Sequence, residues 1–263
     1  MTDTSVLIDI RADGRATVTL NRPDVHNAFD DALIRRLTRE IETLQRDPEV
    51  RVVVVAAAGN SFSAGADLNW LKRAADFTPE QNLADVRALA QMLKTLNRLP
   101  QPTIAAVQGP AYGGGVGLVA CCDVAIASEK ARFSMSEVKL GLVPGTVSPY
   151  VIAAMGERQA RRYMLTGERF DAAEALRIGL VHKVVDAGAL EAAVEELVKT
   201  LLANGPQAMS EAKELIATVA RRPLDDRLVD DTAARFARIR TSDEGREGVK
   251  AFLEKRNPAW TKK

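Results

Sequence analysis

The chain has 263 residues, of which 46% are hydrophobic and only 5% aromatic, and this length allows one substantial aliphatic core with at most a small appended subdomain. Its 36 basic and 35 acidic residues leave a net charge of +1, so no overall field attracts nucleic acid or an anionic membrane surface. An anionic ligand must therefore meet a local group of donors or cations.

The opening segment MTDTSVLIDIRADG lacks the basic region, the long apolar stretch and the cleavage site of a signal peptide. No window approaches the roughly 20 consecutive apolar residues of a membrane span. We therefore expect a cytoplasmic protein. The two cysteines, Cys121 and Cys122, are adjacent and cannot form an ordinary structural disulfide with each other, so we interpret them as small buried side chains.

Strand and helix signals alternate along the first part of the chain. Residues 17–20 (TVTL) predict a strand, and Asp47 and Pro48 end the helix that follows it. The β-branched run from Val52 suits a strand that is covered on both faces. The predicted helix between them has its apolar residues on one face: Leu33, Ile34, Leu37, Ile41 and Leu44.

The alternation repeats further along. An amphipathic helix is predicted before Pro100, and residues 103–107 (TIAAV) predict a buried strand, followed by the turn QGPAYGGG, a small-residue helix (VGLVACC) and the strand DVAIA. These units predict an α/β architecture with stacked or parallel sheets. Because the pattern becomes helical from about residue 187, we predict a core domain over residues 1–195 and a helical C-terminal subdomain over residues 196–263. The apolar positions of the helix before Pro100 are Leu83, Val86, Leu89, Ala90, Leu93 and Leu96.

Two strands end in turns of small residues that each open a helix: residues 63–68 (SAGADL) and residues 113–117 (GGGVG). The start of a helix carries unbonded amide donors and the positive end of the helix dipole, which suits a developing negative charge. Two such turns side by side would present two amides to one oxygen, and removing a comparable donor in other enzymes costs roughly 3 to 4 kcal/mol of transition-state stabilisation. The pair of turns therefore predicts an oxyanion hole.

Each turn alone has simpler interpretations. GGG is typical of a tight turn, and SAGAD of a helix start with Asp67 in its first turn. Residues 115–120 match the G-x-G-x-x-A pattern of a dinucleotide site, with Glu137 near the place of its ribose-binding acid, but this reading leaves SAGAD unexplained. The sequence has no G-x-S-x-G, no G-x-x-x-x-G-K and no cluster of metal ligands, so we predict neither a metal nor a cofactor.

The segments SFSAGADL, IAAVQGPAYGGGVGL and SEVKLGLVPG occur in one order, and further matching residues run from Asn21 to AFLEKRNP near the end. In these segments the chain resembles the crotonase (enoyl-CoA hydratase) superfamily. The resemblance implies a spiral of ββα units with two roughly perpendicular sheets and a helical C-terminal trimerisation region. It also implies coenzyme A thioester substrates and homotrimers, or dimers of trimers.

By this resemblance the oxyanion amides fall on Ala66 and Gly114, in agreement with the argument from helix starts. His26, with Arg22, lies in the segment that the resemblance places near the CoA adenosine, although an exposed loop is an equal alternative. His182 is interpreted as structural. The positions that we assign to substrate binding are Ala64, Gly65, Asp67, Leu68, Gly113, Gly117, His26 and Ala28.

The acid–base residues depart from the pattern of the family. Its hydratases typically carry two glutamates; Glu137 matches the second, but Gly117 stands at the place of the first. One carboxyl can relay both protons of a hydration, from the attacking water to Cα of the substrate. We predict that Glu137 does this and that Gly117 leaves room for a branched or bulky acyl group.

The combination of GADLNW, GLVACCD, SEVKLGLVP and SPYV looks most like bacterial methylglutaconyl-CoA hydratases. The leading hypothesis is therefore reversible hydration of a branched 2-enoyl-CoA that carries a distal carboxylate. Lys72 and Arg73 are candidates to bind that carboxylate, and a solvated helix face is the simpler interpretation of both. The alternatives are a double-bond isomerase, which needs only one carboxyl, and a non-catalytic module that binds acyl-CoA or a dinucleotide.

Overall fold

The computed structural model describes residues 4–220 and 222–261, and in these ranges no helix is long and apolar enough to cross a membrane. The strands are β1 (Val6–Ile10), β2 (Arg15–Leu20), β3 (Val52–Ala57), β4 (Thr103–Val107), β5 (Ala111–Tyr112), β6 (Val124–Ser128), β7 (Arg132–Ser134), β8 (Phe170–Asp171) and β9 (Lys183–Val185). The α-helices are α1 (Asp31–Arg46), α2 (Leu68–Ala74), α3 (Pro79–Asn97), α4 (Gly114–Cys121), α5 (Ser148–Thr166), α6 (Ala172–Arg177), α7 (Leu190–Leu202), α8 (Pro206–Val219), α9 (Asp226–Thr241) and α10 (Asp243–Leu253). Short 3-10 helices cover Pro23–Val25, Glu137–Leu140 and Ala187–Ala189.

The main sheet has the strand order β1-β2-β3-β4-β6-β9. β1 and β2 are antiparallel, and the other neighbouring pairs are parallel. Parallel neighbours need crossover connections, and α1, α2 with α3, and α4 provide them between β2, β3, β4 and β6. The predicted α/β architecture is thereby confirmed.

Strand β3 is covered on both faces, as its β-branched run predicted. Val53 and Val55 belong to the main core, whereas Val52 and Val54 belong to a second apolar cluster on the other face. Successive side chains of a strand point to opposite faces, so the valines alternate between the two clusters. The second cluster also contains Ile104, Ile126, Leu190, Ala193, Val194 and Val198.

A smaller sheet connects the two predicted turns. It contains β5, β7 and β8, and it is extended by single parallel bridges between Ser63 and Ala111 and between Phe29 and Ala66. The SAGAD turn is therefore paired on one side with the strand before GGG and on the other side with the segment before α1. This arrangement brings together three stretches that are distant in sequence.

The two long helices of the first half, α1 and α3, differ in how much of their predicted apolar stripe is buried. The five apolar residues of the α1 stripe are all buried, as expected, and the Asp30 side chain caps the helix by accepting from the Leu33 amide. In α3 only the C-terminal part is buried, while Leu83 is 51% and Val86 44% exposed. The amphipathic helix predicted before Pro100 is confirmed, and its first two turns leave part of the apolar stripe exposed.

Helix α7 spans the predicted domain boundary. Its residues Val194 and Val198 lie in the second cluster against the main sheet, so residues 195 and 196 fall inside one continuous helix of the core. The helical pattern predicted from residue 187 onward is confirmed, with α8, α9 and α10 following α7. A separate C-terminal subdomain stays a prediction.

Helices α8 to α10 and the link between α8 and α9 expose large apolar side chains. Phe252 is 81% and Phe236 68% exposed. Exposed apolar surface on this scale marks an interaction surface more often than a free one. The side chains concerned are Ile216, Leu224, Val229, Phe236, Val249, Phe252 and Leu253.

Candidate active site

Two glycines with positive φ angles bring the predicted turns into contact. Gly65 has φ +84° and Gly113 φ +48°, values at which a side chain is strained. A methyl group on Gly65 would lie 2.8 Å from the carbonyl oxygen of Tyr112 and 3.6 Å from Cα of Gly113. The two turns therefore lie backbone to backbone, which is the placement that an oxyanion hole requires.

The amides of Ala66 and Gly114 are available to a ligand. Around Ala66, the Phe29 amide donates to the Gly65 carbonyl at 2.6 Å, and the Asp67 amide donates to the Phe29 carbonyl at 2.8 Å. Within the described ranges, neither the Ala66 amide nor the Gly114 amide donates to a protein acceptor. Gly114 is also the first residue of α4, so the helix dipole adds positive potential at its amide.

Phe29 contacts both turns and was missed in the sequence. Its backbone forms a bridge with Ala66, and its ring lies beside Gly114, where an added methyl would be 2.9 Å from a ring carbon. The residue is 1% exposed. In the sequence it looks like any aromatic core residue, since its contacts with residues 66 and 114 are set by the tertiary fold.

Glu137 lies beside the GGG turn with a partly buried carboxyl. It begins the 3-10 helix after β7, and a methyl on Gly113 would be 3.0 Å from its Oε1. Its Oε2 is buried and has no hydrogen-bond partner among the described residues. Burial raises the pKa of this carboxyl above its ordinary value, and a backbone hydrogen bond opposes part of that rise. The group is thus suited to hold and release a proton.

The room predicted beside Gly117 does not exist. Gly117 is buried in α4, and a methyl there would overlap Cγ1 of Val147 and lie 3.1 Å from its Cβ. Leu93 closes another side, with its Cδ2 at 3.5 Å from the same point. The interpretation that Gly117 makes space for a bulky acyl group was wrong, because Val147 fills that space.

Asp67 and Arg22 serve the fold. The Asp67 carboxylate caps α2 by accepting from the Asn69 and Trp70 amides, and it is 3.4 Å from the Arg22 guanidinium. Arg22 also pairs with Asp30 at 3.0 Å and donates to the Ala28 carbonyl at 2.7 Å. Both side chains thus make internal bonds, and the substrate contact of Asp67 and the approach of Arg22 to CoA phosphates stay predictions. The internal bonds of Arg22 thus join it to Ala28, Asp30 and Asp67.

The segment from His26 to Ala28 lies against the SAGAD turn. The His26 carbonyl accepts from the Ala64 amide at 2.9 Å, and its Nδ1 is 3.0 Å from the Ser61 hydroxyl. The buried Asn27 side chain donates to the carbonyls of Ala58 and Ser61, both at 2.8 Å. The structure thus places the segment that contains His26 and Ala28 beside the SAGAD turn, which contains Ala64.

The candidates on α2 are on its outer surface. Leu68 is 74% exposed, and Lys72 is exposed. Arg73 pairs with Asp31 of α1 at 2.9 Å, with its own side chain 53% exposed. This arrangement matches the simpler interpretation of Lys72 and Arg73 as a solvated face.

The dinucleotide pattern of residues 115–120 is used for packing. A methyl on Gly115 would be 2.6 Å from the Ser63 carbonyl oxygen, and Gly117 is closed by Val147. Neither glycine opens the backbone to a phosphate, which is the purpose of glycines in that fingerprint. The pattern therefore reflects close packing of α4 on its neighbours.

Three residues away from the turns behave as the sequence indicated. Cys121 and Cys122 are buried and free, and burial raises the pKa of Cys122 to about 12, so its thiol stays protonated. His182 joins β9 to β6 by accepting from the Ala125 amide at 3.1 Å through Nδ1. Their roles are structural.

The fold and the paired turns define the class of the protein, an α/β enzyme of the crotonase type. Residues 11–263 match the enoyl-CoA hydratase/isomerase family, and the chain belongs to this family. The resemblance to the crotonase superfamily and the crotonase-like fold are confirmed, since the solved structure of an enoyl-CoA hydratase from Shewanella pealeana is 46% identical and superposes with a TM-score of 0.95, over 97% of this chain and 96% of that one.

The names of two further relatives specify different acyl groups. Hydroxycinnamoyl-CoA hydratase-lyase of Pseudomonas fluorescens is 35% identical over 248 residues, which are 92% of this chain and 90% of that protein. The 2,3-dehydroadipyl-CoA hydratase of Escherichia coli is 32% identical over 255 residues, which are 97% of this chain and 98% of that protein. Similarity at this level supports the function of the enoyl-CoA hydratase/isomerase family and leaves the acyl group open.

Proposed function

We propose that the protein reversibly hydrates a branched 2-enoyl-CoA with a distal carboxylate, a substrate like methylglutaconyl-CoA. The observation that carries the hydratase proposal is the Glu137 carboxyl, buried without a partner for Oε2 and 3.0 Å from the position of a methyl on Gly113. It lies next to two turns whose Ala66 and Gly114 amides have no protein acceptor in the described ranges. A base and two donors are the groups that conjugate addition of water to a thioester requires.

In the proposed mechanism the thioester oxygen accepts hydrogen bonds from the Ala66 and Gly114 amides. Water attacks Cβ while Glu137 takes one of its protons, and the electrons of the double bond move onto the thioester as an enolate. The enolate charge is greatest on the oxygen, so the two amides stabilise the transition state more than the substrate. Glu137 then returns the proton to Cα. No cofactor takes part in the proposed reaction, and coenzyme A is part of the substrate.

The proposed acyl group rests on sequence resemblance and on one relative. The name 2,3-dehydroadipyl-CoA denotes an acyl chain that ends in a carboxylate, so the family accommodates such chains. In this chain Lys72 remains the candidate partner for that carboxylate, because it is exposed on α2 beside the SAGAD turn, whereas Arg73 is already paired with Asp31. A panel of methylglutaconyl-CoA, crotonyl-CoA and a longer branched homologue, with product masses recorded, tests the acyl preference.

The role of Glu137 is tested by Glu137→Gln. We expect kcat to fall by at least about 100-fold with KM changed less than about threefold, as for a residue that transfers protons in the transition state. The matched control is Glu157→Gln on α5, whose carboxyl is 77% exposed and which should keep wild-type kinetics. Activity of Glu137→Gln within about threefold of wild type would exclude the proposed role.

An isomerase is the second candidate, and the single carboxyl of the site favours it. One carboxyl suffices to move a proton between Cα and Cγ, and no second one can stand at Gly117 while Val147 fills the space. Reaction in ¹⁸O-labelled water separates the two candidates. A hydratase places the label on Cβ of the product, whereas an isomerase returns an unlabelled enoyl-CoA whose double bond has moved.

We also propose that the protein forms trimers, or dimers of trimers, through its C-terminal helices. The exposed apolar side chains of α8 to α10, including Phe236 and Phe252, support this proposal. A subunit that exposes such a surface gains from burying it against a copy of itself.

A further inference from the structure

Gly117 and Val147 form a pair whose sizes match. Val147 is 1% exposed, and its Cγ1 occupies the position where the side chain of residue 117 would begin. Leu93 lies on another side, with its Cδ2 3.5 Å from the same point. Any side chain at residue 117 must therefore displace Val147.

This pair lies on the same part of α4 as the contact with Glu137. The Gly117 amide donates to the Gly113 carbonyl at 3.2 Å, so the two glycines are one helical turn apart, about 6 Å along the axis. Gly113 is next to Oε1 of Glu137, and Gly117 is next to Val147. Residue 117 therefore lies about one helical turn from the residue that contacts the Glu137 carboxyl.

Glu137 and Val147 also begin and end one segment, and the backbone carbonyl of each accepts a hydrogen bond. The Leu142 amide donates to the Glu137 carbonyl at 3.0 Å, and the Val151 amide donates to the Val147 carbonyl at 3.1 Å where α5 begins. Residues 137–147 therefore present a carboxyl at one end and an isopropyl group at the other end to the same helix. The isopropyl group can neither accept nor donate the proton of a water molecule.

We propose that Val147 occupies the place of a second acid–base carboxyl, and that the Gly117–Val147 pair thereby determines the one-carboxyl chemistry of this site. The inference rests on the proposed function. No sequence motif singles out Val147. The proposal is that this residue, by excluding a second carboxyl, leaves Glu137 as the group that activates water. It also implies that a second carboxyl is admitted only when both residues change together.

The test is a double-mutant cycle with Gly117→Glu, Val147→Gly and the double variant, measured first by thermal unfolding. Gly117→Glu should lower Tm by roughly 5 °C or more, because a side chain is forced into a filled core. In the double variant Val147→Gly should recover most of that loss, so the two effects on Tm are far from additive. The matched control is Gly188→Glu, where nothing lies within 4 Å of an added Cβ and Tm should not change.

The second measurement is the pH profile of kcat/KM with crotonyl-CoA. The double variant should show one ionisation more than Val147→Gly and hydrate crotonyl-CoA about tenfold faster than that variant. Additive Tm effects, or a wild-type Tm for Gly117→Glu, would overturn the size-matched pair. Strong coupling without a new ionisation or a faster reaction would overturn the assignment of Val147 to the place of a carboxyl. The unfolding cycle needs no turnover, so a wild-type protein that hydrates no enoyl-CoA would refute the proposed function separately.

Discussion

At the scale of single residues, Glu137 makes the stability of the protein depend on pH. Its Oε2 is buried without a partner among the described residues, and burial raises the pKa of the carboxyl above 4.5, its ordinary value. The folded state therefore binds this proton more tightly than the unfolded state does. Between 4.5 and the raised pKa the folded state holds more protons, so the free energy of unfolding falls as pH rises through that window.

Glu137→Gln removes this dependence. Because the amide stays neutral, we expect the variant to become more stable relative to wild type as pH rises from about 4 to about 8, with the gain accumulating between 4.5 and the raised pKa and staying constant above it. Urea unfolding of both proteins across that range measures the difference. A difference that is constant with pH, or that shrinks as pH rises, would contradict the buried, proton-holding carboxyl.

The sequence could predict part of this site. Helix starts and motif order are local features of a sequence, so they single out Ala66, Gly114 and Glu137, whose catalytic roles stay predictions. Phe29 and Val147 were not found, because each acts through a contact with a residue far away in the chain. Gly117 was misinterpreted for the same reason, since a missing side chain indicates empty space only if no neighbour fills it.

At the scale of elements, Arg22 joins the starts of two helices. Asp30 caps α1 and Asp67 caps α2, and one guanidinium lies 3.0 Å from the first carboxylate and 3.4 Å from the second. Asp67 directly follows Ala66, so this bridge also fixes the chain next to the Ala66 amide. Arg22 is thereby a positioning residue for the SAGAD turn.

Arg22→Met should destabilise the protein by about 3 kcal/mol, since it leaves two largely buried carboxylates without their cation. We expect kcat to fall about tenfold with little change in KM, because a displaced Ala66 amide weakens the transition state more than substrate binding. The control is Arg35→Met, whose partner Asp31 is 2.9 Å away on the exposed face of α1, and it should cost less than about 1 kcal/mol. Equal effects of the two substitutions on unfolding and kcat would refute the bridge.

Element positions were predicted better than the surfaces they bury. The β3 and β4 strands and the α1 stripe were predicted because continuous apolar runs and helical periodicity are local patterns of the sequence. The exposure of Leu83 and Val86 was not, because periodicity shows which residues share a face without showing what covers that face. The predicted boundary between residues 195 and 196 falls inside α7, because the contacts of that helix with the main sheet are tertiary and leave no local pattern in the sequence.

At the scale of the whole molecule, the proposed trimer or dimer of trimers would bury the exposed apolar side chains of α8 to α10. Light scattering after gel filtration should give three or six times the chain mass of 28.5 kDa. Phe236→Glu with Phe252→Glu should shift the protein toward monomer, because each substitution places a charge in the surface to be buried. Leu7→Glu on the edge strand β1, where Leu7 is 45% exposed, should leave the mass unchanged. A monomeric wild type would exclude this use of the surface.

The position of Phe29 has a mechanical consequence. Its main chain is bridged to Ala66 and its ring rests against Gly114, so one residue contacts the backbone at both amides. If Phe29 moves, we expect both donors to move with it, so that their position changes more than the gap between them. Fluctuations of the surrounding loops would then alter where an oxygen is held more readily than how tightly it is held.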